Sequence, residues 1–248
     1  MKISIITATW NSESTIVDTL LSLASQSYQN TEFIVVDGAS KDTTLKIVNG
    51  HEGLIDIIIS EPDQGIYDAL NKGITVATGD VIGFLHSDDI FASVDTLDKV
   101  ASAFADNATD AVYGDLDYVS KDDTSRVIRH WQSGEFVKSK FKNGWMPPHP
   151  TFYMRKKHYQ KLGGFNLSYR IAADYESILR YLWQENLNVN YIPEVLVKMR
   201  VGGESNRSLQ NIIRKSKEDW RAMKSNGIAP LPAILGKNLS KIPQFFVK

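Results

Sequence analysis

The 248-residue sequence predicts an α/β fold with a mostly parallel central sheet and helices on both faces. Four short runs are almost continuously apolar, as strands buried on both faces of a sheet are. Segments with helical spacing of apolar residues separate these runs, which is typical of βαβ units. Polar residues lie where the runs end. Because ligands bind at the carboxyl ends of parallel strands, we expect the functional site at this edge.

Strands and helices are predicted to alternate through the first 85 residues. The apolar runs occupy residues 3–9, 33–36, 57–59 and 81–85. The first helical segment aligns Ile16, Leu20 and Leu23 on one face, and the third aligns Ala69, Leu70, Ile74 and Ala77. Asp42-Thr43-Thr44 supplies capping residues for the helix between them.

The second half of the sequence is less regular. A helix carrying Leu97, Val100 and Phe104 is predicted first, then strands at 111–113 and 126–131 and a structured loop at 142–150. A further helix is predicted to begin near Asp174, and a basic helix to span 207–226. Pro230, Pro232 and Pro243 are expected to break up the remaining C-terminal segment.

Composition excludes several classes of protein. The sequence has no cysteine, which excludes a disulfide framework and thiolate chemistry. No apolar run is long enough to span a bilayer, and Met1-Lys2 leads directly into a predicted strand rather than a signal peptide, so we expect a cytoplasmic protein. Nucleic-acid binding is not expected, because the main domain lacks a basic stripe.

Adjacent carboxylates end the fourth apolar run, in Ser87-Asp88-Asp89. Carboxylates at the edge of a sheet favour a hard divalent cation such as Mg²⁺ or Mn²⁺, usually shared with substrate phosphates. The alternative interpretation is a polar turn, with Ser93 capping the next helix. Both interpretations fit these residues alone.

Five segments in order resemble the motifs of family 2 glycosyltransferases with the GT-A fold, most closely the bacterial enzymes of exopolysaccharide and lipopolysaccharide synthesis, including the colanic-acid type. The segments are 5–11 (IITATWN), 35–43 (VVDGASKDT), 61–73 (EPDQGIYDALNKG), 84–89 (FLHSDD) and 173–176 (ADYE). The resemblance covers about residues 1–205. It implies a nucleotide-sugar-binding half (1–115), an acceptor-binding half (116–205) and a separate basic helical extension (206–248).

The resemblance implies inverting transfer of a sugar from a nucleotide-diphosphate donor, with a UDP-sugar favoured over a GDP-sugar. The acceptor would be a glycan or a polyprenyl-diphosphate-linked sugar. The residues implied for the donor site are Thr7, Thr9, Asn11, Asp37, Gly38, Asn71, Lys72 and Asp88. Asp37 would accept a hydrogen bond from the base, and Gly38 would let the backbone pass close to the nucleotide.

The resemblance also assigns the metal and the general base. Asp89 would hold a divalent ion, Mn²⁺ or Mg²⁺, on the diphosphate. Ser87 stands where the first Asp of a strict DXD motif would be. Asp174 would take the proton of the acceptor hydroxyl, although an Asp before a helix can also be an N-cap, and Glu176 is the rival base.

Three residues are assigned to the acceptor side: Trp145, His149 and Arg200. Trp145 could instead be core, because a tryptophan ring packs as readily as it stacks on a sugar. Gly202-Gly203-Glu204-Ser205 resembles a segment that closes over the donor in relatives.

Other functions remain as alternatives. The sequence has no G-x-G-x-x-G after a strand, which weakens a dehydrogenase interpretation. A sugar nucleotidyltransferase would carry a Gly-rich signature after the first strand, where this sequence has Ala8-Thr9-Trp10-Asn11. A noncatalytic nucleotide-sugar-binding protein or partner subunit is disfavoured by the retention of Asp89 and Asp174.

The C-terminal tail is strongly basic, with nine Lys/Arg against two Asp/Glu in residues 205–248. Such a tail, together with its apolar residues near the C-terminus, could bind the anionic cytoplasmic leaflet peripherally. The alternatives are a helix packed on the domain and a contact in a homodimer.

Overall fold

The structure is a computed structural model that describes residues 1–202 and 209–239. Within these residues, nine strands form one sheet. The strands are β1 Ile3–Thr9, β2 Thr31–Asp37, β3 Ile57–Ser60, β4 Val81–Phe84, β5 Ile90–Phe91, β6 Ala111–Val119, β7 Val127–Trp131, β8 Tyr153–Arg155 and β9 Val189–Arg200.

Helices cover the sheet on both faces. They are α1 Ile16–Ala24, α2 Thr44–Gly50, α3 Ile66–Val76, α4 Thr96–Ala103, α5 Lys156–Leu162, α6 Ala173–Ile178, α7 Leu209–Ser225 and α8 Pro230–Leu239. Short 3₁₀ segments lie at Glu52–Leu54, Lys138–Asn143 and His149–Thr151, and a π-helical segment, Leu179–Gln184, continues α6. The predicted α/β class is confirmed, as are the first four strands and the helices between them.

The sheet is parallel in its first half and mixed in its second. The strand order is β3-β2-β1-β4-β8-β6-β9-β5, with β7 paired to β6. The first four strands are parallel, β8 is antiparallel to both its neighbours, and β6 and β9 are parallel. Because β6 crosses the predicted boundary at 115/116, both predicted halves share this strand, and their division of labour stays a prediction.

Apolar side chains form a core on each face. Along β1, Ile3 and Ile5 point into the core beneath α1, α2 and α4, whereas Ile6 points into the core beneath α3. All three side chains are at most 1% exposed. Burying such a side chain contributes about 1.5–3 kcal/mol to stability. The two cores fix β1, and with it the edge where its polar residues emerge.

The C-terminal helices pack onto the domain. Ala222 and Met223 of α7, Ile228 of the turn after it and Ala233 of α8 are buried in the same core as α3. The expectation that the prolines break up this segment is wrong for residues 230–239. Pro230 is the first residue of α8 and Pro232 lies in its first turn, where a missing backbone N–H costs no intrahelical hydrogen bond.

Some predictions fall outside the described residues, namely those on 203–208 and 240–248, including Pro243, most of the proposed closing segment and the 205/206 boundary. Among the helices of the described residues, none combines the length and the apolar character needed to cross a bilayer.

Candidate active site

The carboxyl ends of the parallel strands bring polar side chains to one edge of the sheet. Thr9 of β1 lies beside Asp37 of β2, and Asp37 lies beside Ser60 of β3. On the other side of β1, β4 leads into Ser87-Asp88-Asp89. The topology therefore places the predicted donor residues and the predicted metal-binding residues side by side.

Asp89 is a buried carboxylate, and one of its two oxygens has no hydrogen-bond partner among the described residues. The side chain is 1% exposed, and its Oδ1 accepts a hydrogen bond from the Arg200 backbone N–H at 3.3 Å. Its Oδ2 is buried without a hydrogen-bond partner among the described residues. Burial, followed by the nearby Asp88 charge, raises the pKa of Asp89 well above its ordinary value. A cation at Oδ2 would offset the cost of ionising this group.

Arg200 braces the loop that carries the two aspartates. Its Nη1 donates to the Asp88 carbonyl at 2.6 Å, its Nε donates to the Lys121 carbonyl at 3.2 Å, and its Nη2 pairs with Asp18. Thr19 adds a hydrogen bond of 2.8 Å to the Asp89 carbonyl. The buried guanidinium thus supports the loop of Asp88 and Asp89, and its predicted contact with the acceptor stays a prediction.

Two buried imidazoles lie behind this loop. The rings of His86 and His149 are 5.8 Å apart, and Nδ1 of His86 and Nε2 of His149 have no partner among the described residues. Burial, followed by the repulsion from His86, lowers the pKa of His149 to about 3. Burial also lowers the pKa of His86, opposed by Asp88 and Asp174. Both rings are therefore neutral near pH 7.

Asp174 is the second residue of α6 and lies near His86. Asp88 also lies near the His86 imidazole. Ala172, not Asp174, occupies the N-cap position, so the N-cap interpretation of Asp174 is wrong. Oδ1 of Asp174 accepts a hydrogen bond from the Tyr67 hydroxyl at 3.1 Å. The half-buried carboxylate is thus free of a capping role.

Glu176, the rival base, is engaged elsewhere. Its carboxylate pairs with Arg180, at 3.1 Å from Nε and 3.2 Å from Nη2. Arg180 also donates to the carbonyls of Leu162, Gly163 and Gly164. Glu176 and Arg180 together fix the turn after α5, and this pairing favours Asp174 over Glu176 as the base.

Glu218 of α7 fixes the backbone segment that precedes Asp174. The Glu218 carboxylate, 9% exposed, accepts hydrogen bonds from the backbone N–H groups of Arg170, Ile171 and Ala172 at 2.8–3.1 Å. Sequence reasoning missed this residue. The available signal was that Glu218 and Asp219 are the only acidic residues of 205–248.

Asp37 lies buried beneath two serines. Its carboxylate accepts hydrogen bonds from the Ser40 N–H and hydroxyl and from the Ser60 hydroxyl, the last at 2.8 Å. The side chain is fully buried. It therefore orders the turn after β2, as a turn aspartate would, and its predicted contact with a nucleobase stays a prediction.

The close approach of Asp63 explains why residue 38 is a glycine. A Cβ at this position would overlap Oδ2 of Asp63. Asp63 in turn accepts a hydrogen bond from the Gly65 N–H at 2.8 Å. The absence of a side chain at Gly38 thus allows the loop after β3 to approach the loop after β2.

The β1 end offers groups without protein partners. The hydroxyls of Thr7 and Thr9 are buried and have no hydrogen-bond partner among the described residues. Asn11, exposed and with a φ of 49°, accepts a hydrogen bond from the Lys41 N–H at 2.9 Å. These three residues lie in and just after the C-terminal half of β1, and their contacts with a nucleotide stay predictions.

Three predicted residues have their polar groups engaged by other parts of the protein. The Asn71 amide bonds both the N–H and the carbonyl of Phe165, at 2.7 and 2.9 Å. Lys72 pairs with Glu61 and bonds the Pro62 carbonyl. Trp145 packs in an aromatic cluster and donates to the Ser133 carbonyl at 3.0 Å. Their roles toward donor or acceptor stay predictions.

Asp88 and Asp89 fit a metal ion that substrate phosphates also coordinate better than one coordinated by protein side chains alone. Among the described residues, no group of three or more His, Cys, Asp or Glu side chains could hold a metal ion. The unpartnered Oδ2 of Asp89 still offers one hard oxygen ligand, beside Asp88. An ion here would have to complete its coordination with substrate phosphate oxygens and water.

Comparisons with known proteins identify the family of this chain. A sequence profile of the family described as Glycosyl transferase family 2 matches residues 4–166. A PGL/p-HBAD biosynthesis glycosyltransferase of Mycobacterium bovis is 33% identical over 208 residues, covering 82% of this chain and 78% of that protein. A glycosyltransferase of Haemophilus influenzae, itself uncharacterized, is 38% identical over 100 residues, 39% of this chain and 40% of that protein. These names do not support the exopolysaccharide or colanic-acid type.

Solved structures show the same fold. S. aureus TarS 1-349 in complex with UDP-GlcNAc is similar with a TM-score of 0.74 and 21% identity, over 91% of this chain and 65% of that one. A mannosyltransferase from Pyrobaculum calidifontis in complex with GDP-Man and Mn²⁺ has a TM-score of 0.67 and 20% identity, over 96% and 73%. The fold is GT-A-like, and the chain belongs to glycosyl transferase family 2 and is a glycosyltransferase.

Proposed function

We propose that this glycosyltransferase transfers a sugar from a nucleotide-diphosphate donor with inversion at the anomeric carbon. The acceptor oxygen bonds to the anomeric carbon while the bond from that carbon to the diphosphate oxygen breaks, and its electron pair leaves with the nucleotide. Asp174 takes the proton of the acceptor hydroxyl as general base.

One observation carries the proposal: the buried Asp89, whose Oδ2 has no partner among the described residues, and Asp174, which is not an N-cap, both lie near β6. The charges of both aspartates act on Tyr118 of β6. One carboxylate suits the leaving-group side, through a cation, and the other suits the acceptor side. The pairing of Glu176 with Arg180 supports Asp174 rather than Glu176 in the second role.

A divalent metal, Mn²⁺ or Mg²⁺, is proposed for the Asp89 site with Asp88 beside it. Bound there, it would neutralise charge that develops on the departing diphosphate. Asp89 would hold the ion, Asp88 beside it would reach the donor ribose or a metal-bound water, and Arg200 would keep their loop in place.

The donor nucleotide is proposed to lie along Thr7, Thr9, Asn11, Asp37 and Gly38, with Asn71 and Lys72 on its far side. A UDP-sugar is the first candidate and a GDP-sugar the second. The complexes of TarS with UDP-GlcNAc and of the mannosyltransferase with GDP-Man make these the first two donors to test.

The acceptor is proposed to be a glycan or a polyprenyl-diphosphate-linked sugar of cell-surface polysaccharide synthesis, reached on the side of Trp145, His149 and Arg200. The name of the Mycobacterium bovis relative makes PGL/p-HBAD precursors the second acceptor class.

Binding of candidate donors tests the central part of this proposal. Calorimetry with UDP- and GDP-sugars, with and without Mn²⁺, is expected to find one donor whose affinity depends on the metal. Asp89→Ala should remove that dependence, whereas the exposed control Asp122→Ala should retain it. If no nucleotide sugar binds, the proposed donor site is wrong.

A peripheral contact with anionic membrane is proposed for the outer face of α7. The exposed Ile213 and Trp220 share this face with Lys217 and Lys224, whereas the two acids of the helix, Glu218 and Asp219, are buried. An exposed face with only positive charges and two large apolar side chains complements a phospholipid surface.

Surface substitutions test this contact better than truncation, because deleting residues 228–248 would remove the core residues Ile228 and Ala233. Ile213→Ser with Trp220→Ser should reduce sedimentation with phosphatidylserine vesicles, whereas the exposed Val127→Ser on β7 should not. Unchanged sedimentation would remove the membrane role. Sedimentation velocity without lipid would show whether this face instead joins a homodimer.

A further inference from the structure

The Tyr67 hydroxyl lies between two acceptors that belong to the Asp174 region. It is 2.7 Å from the Ile171 carbonyl oxygen and 3.1 Å from Oδ1 of Asp174. The half-buried ring packs on Phe165, with centroids 5.4 Å apart. Tyr67 therefore connects α3 to the start of α6 at the proposed base.

A phenol has one hydrogen to donate, so the Ile171 carbonyl and the Asp174 carboxylate share it. This sharing fixes the position of Oδ1 relative to the backbone of Ile171. Among the described residues, no hydrogen bond is donated to Oδ2 of Asp174. The two oxygens of the carboxylate are thus distinguished, one held by the protein and one left to substrate.

The backbone that Tyr67 uses as its second anchor is itself fixed. Glu218 accepts a hydrogen bond from the Ile171 N–H at 2.8 Å and another from the Ala172 N–H at 3.0 Å. Tyr67 therefore orients Asp174 against a braced segment rather than a free loop.

Tyr67 does not take the proton itself. Burial, and then the Asp174 charge, raises the pKa of the Tyr67 phenol well above its ordinary value. The phenol keeps its hydrogen at neutral pH and acts only as a donor.

We propose that Tyr67 is the positioning residue of Asp174, holding Oδ1 so that Oδ2 is the atom that receives the acceptor proton. This inference rests on the proposed role of Asp174 as base. The acceptor O–H proton moves to Oδ2, the acceptor oxygen bonds to the anomeric carbon, and the diphosphate departs with the electrons of the broken bond. The Tyr67 proton is unchanged at the end.

Kinetics of Tyr67→Phe test the inference, with Tyr181→Phe as the matched control. Tyr181 is also buried and donates to a backbone carbonyl, that of Gly163, at 2.7 Å, but faces no proposed catalytic group. In Tyr67→Phe, kcat should fall about tenfold, because one hydrogen bond to a charged group is lost. The donor KM should stay unchanged, because donor contacts are untouched.

The pH profile separates positioning from general damage. Since the phenol hydrogen bond favours the ionised carboxylate, its loss should move the acid limb of the kcat profile to higher pH, by up to about one unit. His86, Tyr118 and Glu218 are the other titratable groups near Tyr67 and Asp174. They are the same in the wild type and in Tyr67→Phe, so they do not account for a difference between the two profiles. Tyr181→Phe should leave the profile in place.

Unchanged kcat in Tyr67→Phe would overturn the inference. A fall in kcat with a parallel rise in donor KM and no movement of the acid limb would also overturn it.

Thermal melting shows whether Tyr67→Phe is folded. If Tyr67→Phe does not fold, 3-fluorotyrosine at position 67 keeps the ring but changes the hydrogen bond, and an unmoved limb there would equally overturn it. Asp174→Asn with full activity would overturn the proposed base itself, whereas an inactive Asp174→Asn beside an unaffected Tyr67→Phe would overturn only this inference.

Discussion

The Glu218 carboxylate accepts a hydrogen bond of 3.0 Å from the backbone N–H of Ala172. Ala172 precedes the proposed base by two residues, and Glu218 belongs to α7, beyond the part of the chain matched by the family profile. Helix α7 is therefore part of the structure that positions the proposed base.

Glu218→Gln should lower the free energy of unfolding by about 1–3 kcal/mol. The three backbone N–H groups reach Oε2, and that of Arg170 also reaches Oε1, so an amide loses the negative charge that they share and turns its NH₂ toward the Arg170 N–H. Urea unfolding of the purified protein measures the loss. Glu52→Gln, on an exposed 3₁₀ segment, is the control. Equal stability of Glu218→Gln and wild type would contradict this account.

Arg200→Lys should destabilise the protein by about 1.5–3 kcal/mol and weaken metal-dependent donor binding. A lysine cannot make the several directed hydrogen bonds through which the guanidinium joins the carbonyls of Asp88 and Lys121. Calorimetry with the donor measures the second effect. Arg126→Lys, at an exposed turn, should change neither quantity. Normal donor affinity in Arg200→Lys would show that the loop does not need this brace.

His149 should make the protein less stable in acid. Its pKa is about 3 in the folded state and about 6.5 in the unfolded chain, so the unfolded chain binds the proton first. Stability from this group is complete above about pH 6.5 and falls as the pH drops toward 3, by up to about 1.4 kcal/mol per unit. Urea unfolding at pH 4–7 should show a shallower loss in His149→Phe, and His51→Phe should retain the wild-type slope. Equal slopes for wild type and His149→Phe would refute the burial argument.

Gly38→Ala should cost about 1 kcal/mol of stability, because the new methyl group displaces the Asp63 carboxylate and weakens its hydrogen bond from the Gly65 N–H. Gly50→Ala is the matched control, since its Cβ would meet nothing within 4 Å. Thermal melting distinguishes the two variants. A Gly38→Ala protein as stable as wild type would mean that the Asp63 loop moves freely.

The sheet was predictable where its strands are buried on both faces. β1, β2 and β4 are nearly continuous apolar runs, and this pattern requires no knowledge of partners. β8 has only three residues, and β9 contains Pro193 and pairs with β6 through shifts in register around Asp115. The position of a short or irregular strand is set by the strand that it pairs with, so the local pattern of apolar residues does not predict it.

The site was predictable as a set of motif residues but not as a set of contacts. Asp89 and Asp174 could be named from their segments, whereas the pairing of Glu176 with Arg180 and the support from Glu218 arise from packing between distant elements. Hydrogen bonds across 46 residues of sequence, as between Ala172 and Glu218, leave no signature in spacing.

Donor turnover by Asp174→Asn, beside Glu176→Gln, tests the central claim most directly. With the donor identified by calorimetry, Asp174→Asn should bind it as tightly as wild type yet lose hydrolysis and transfer by about 10²–10⁴-fold, because only the proton acceptor is removed. Glu176→Gln, once melting confirms its fold, should retain turnover. Full turnover by Asp174→Asn, or loss of turnover by Glu176→Gln alone, would contradict the assignment of Asp174 as the base.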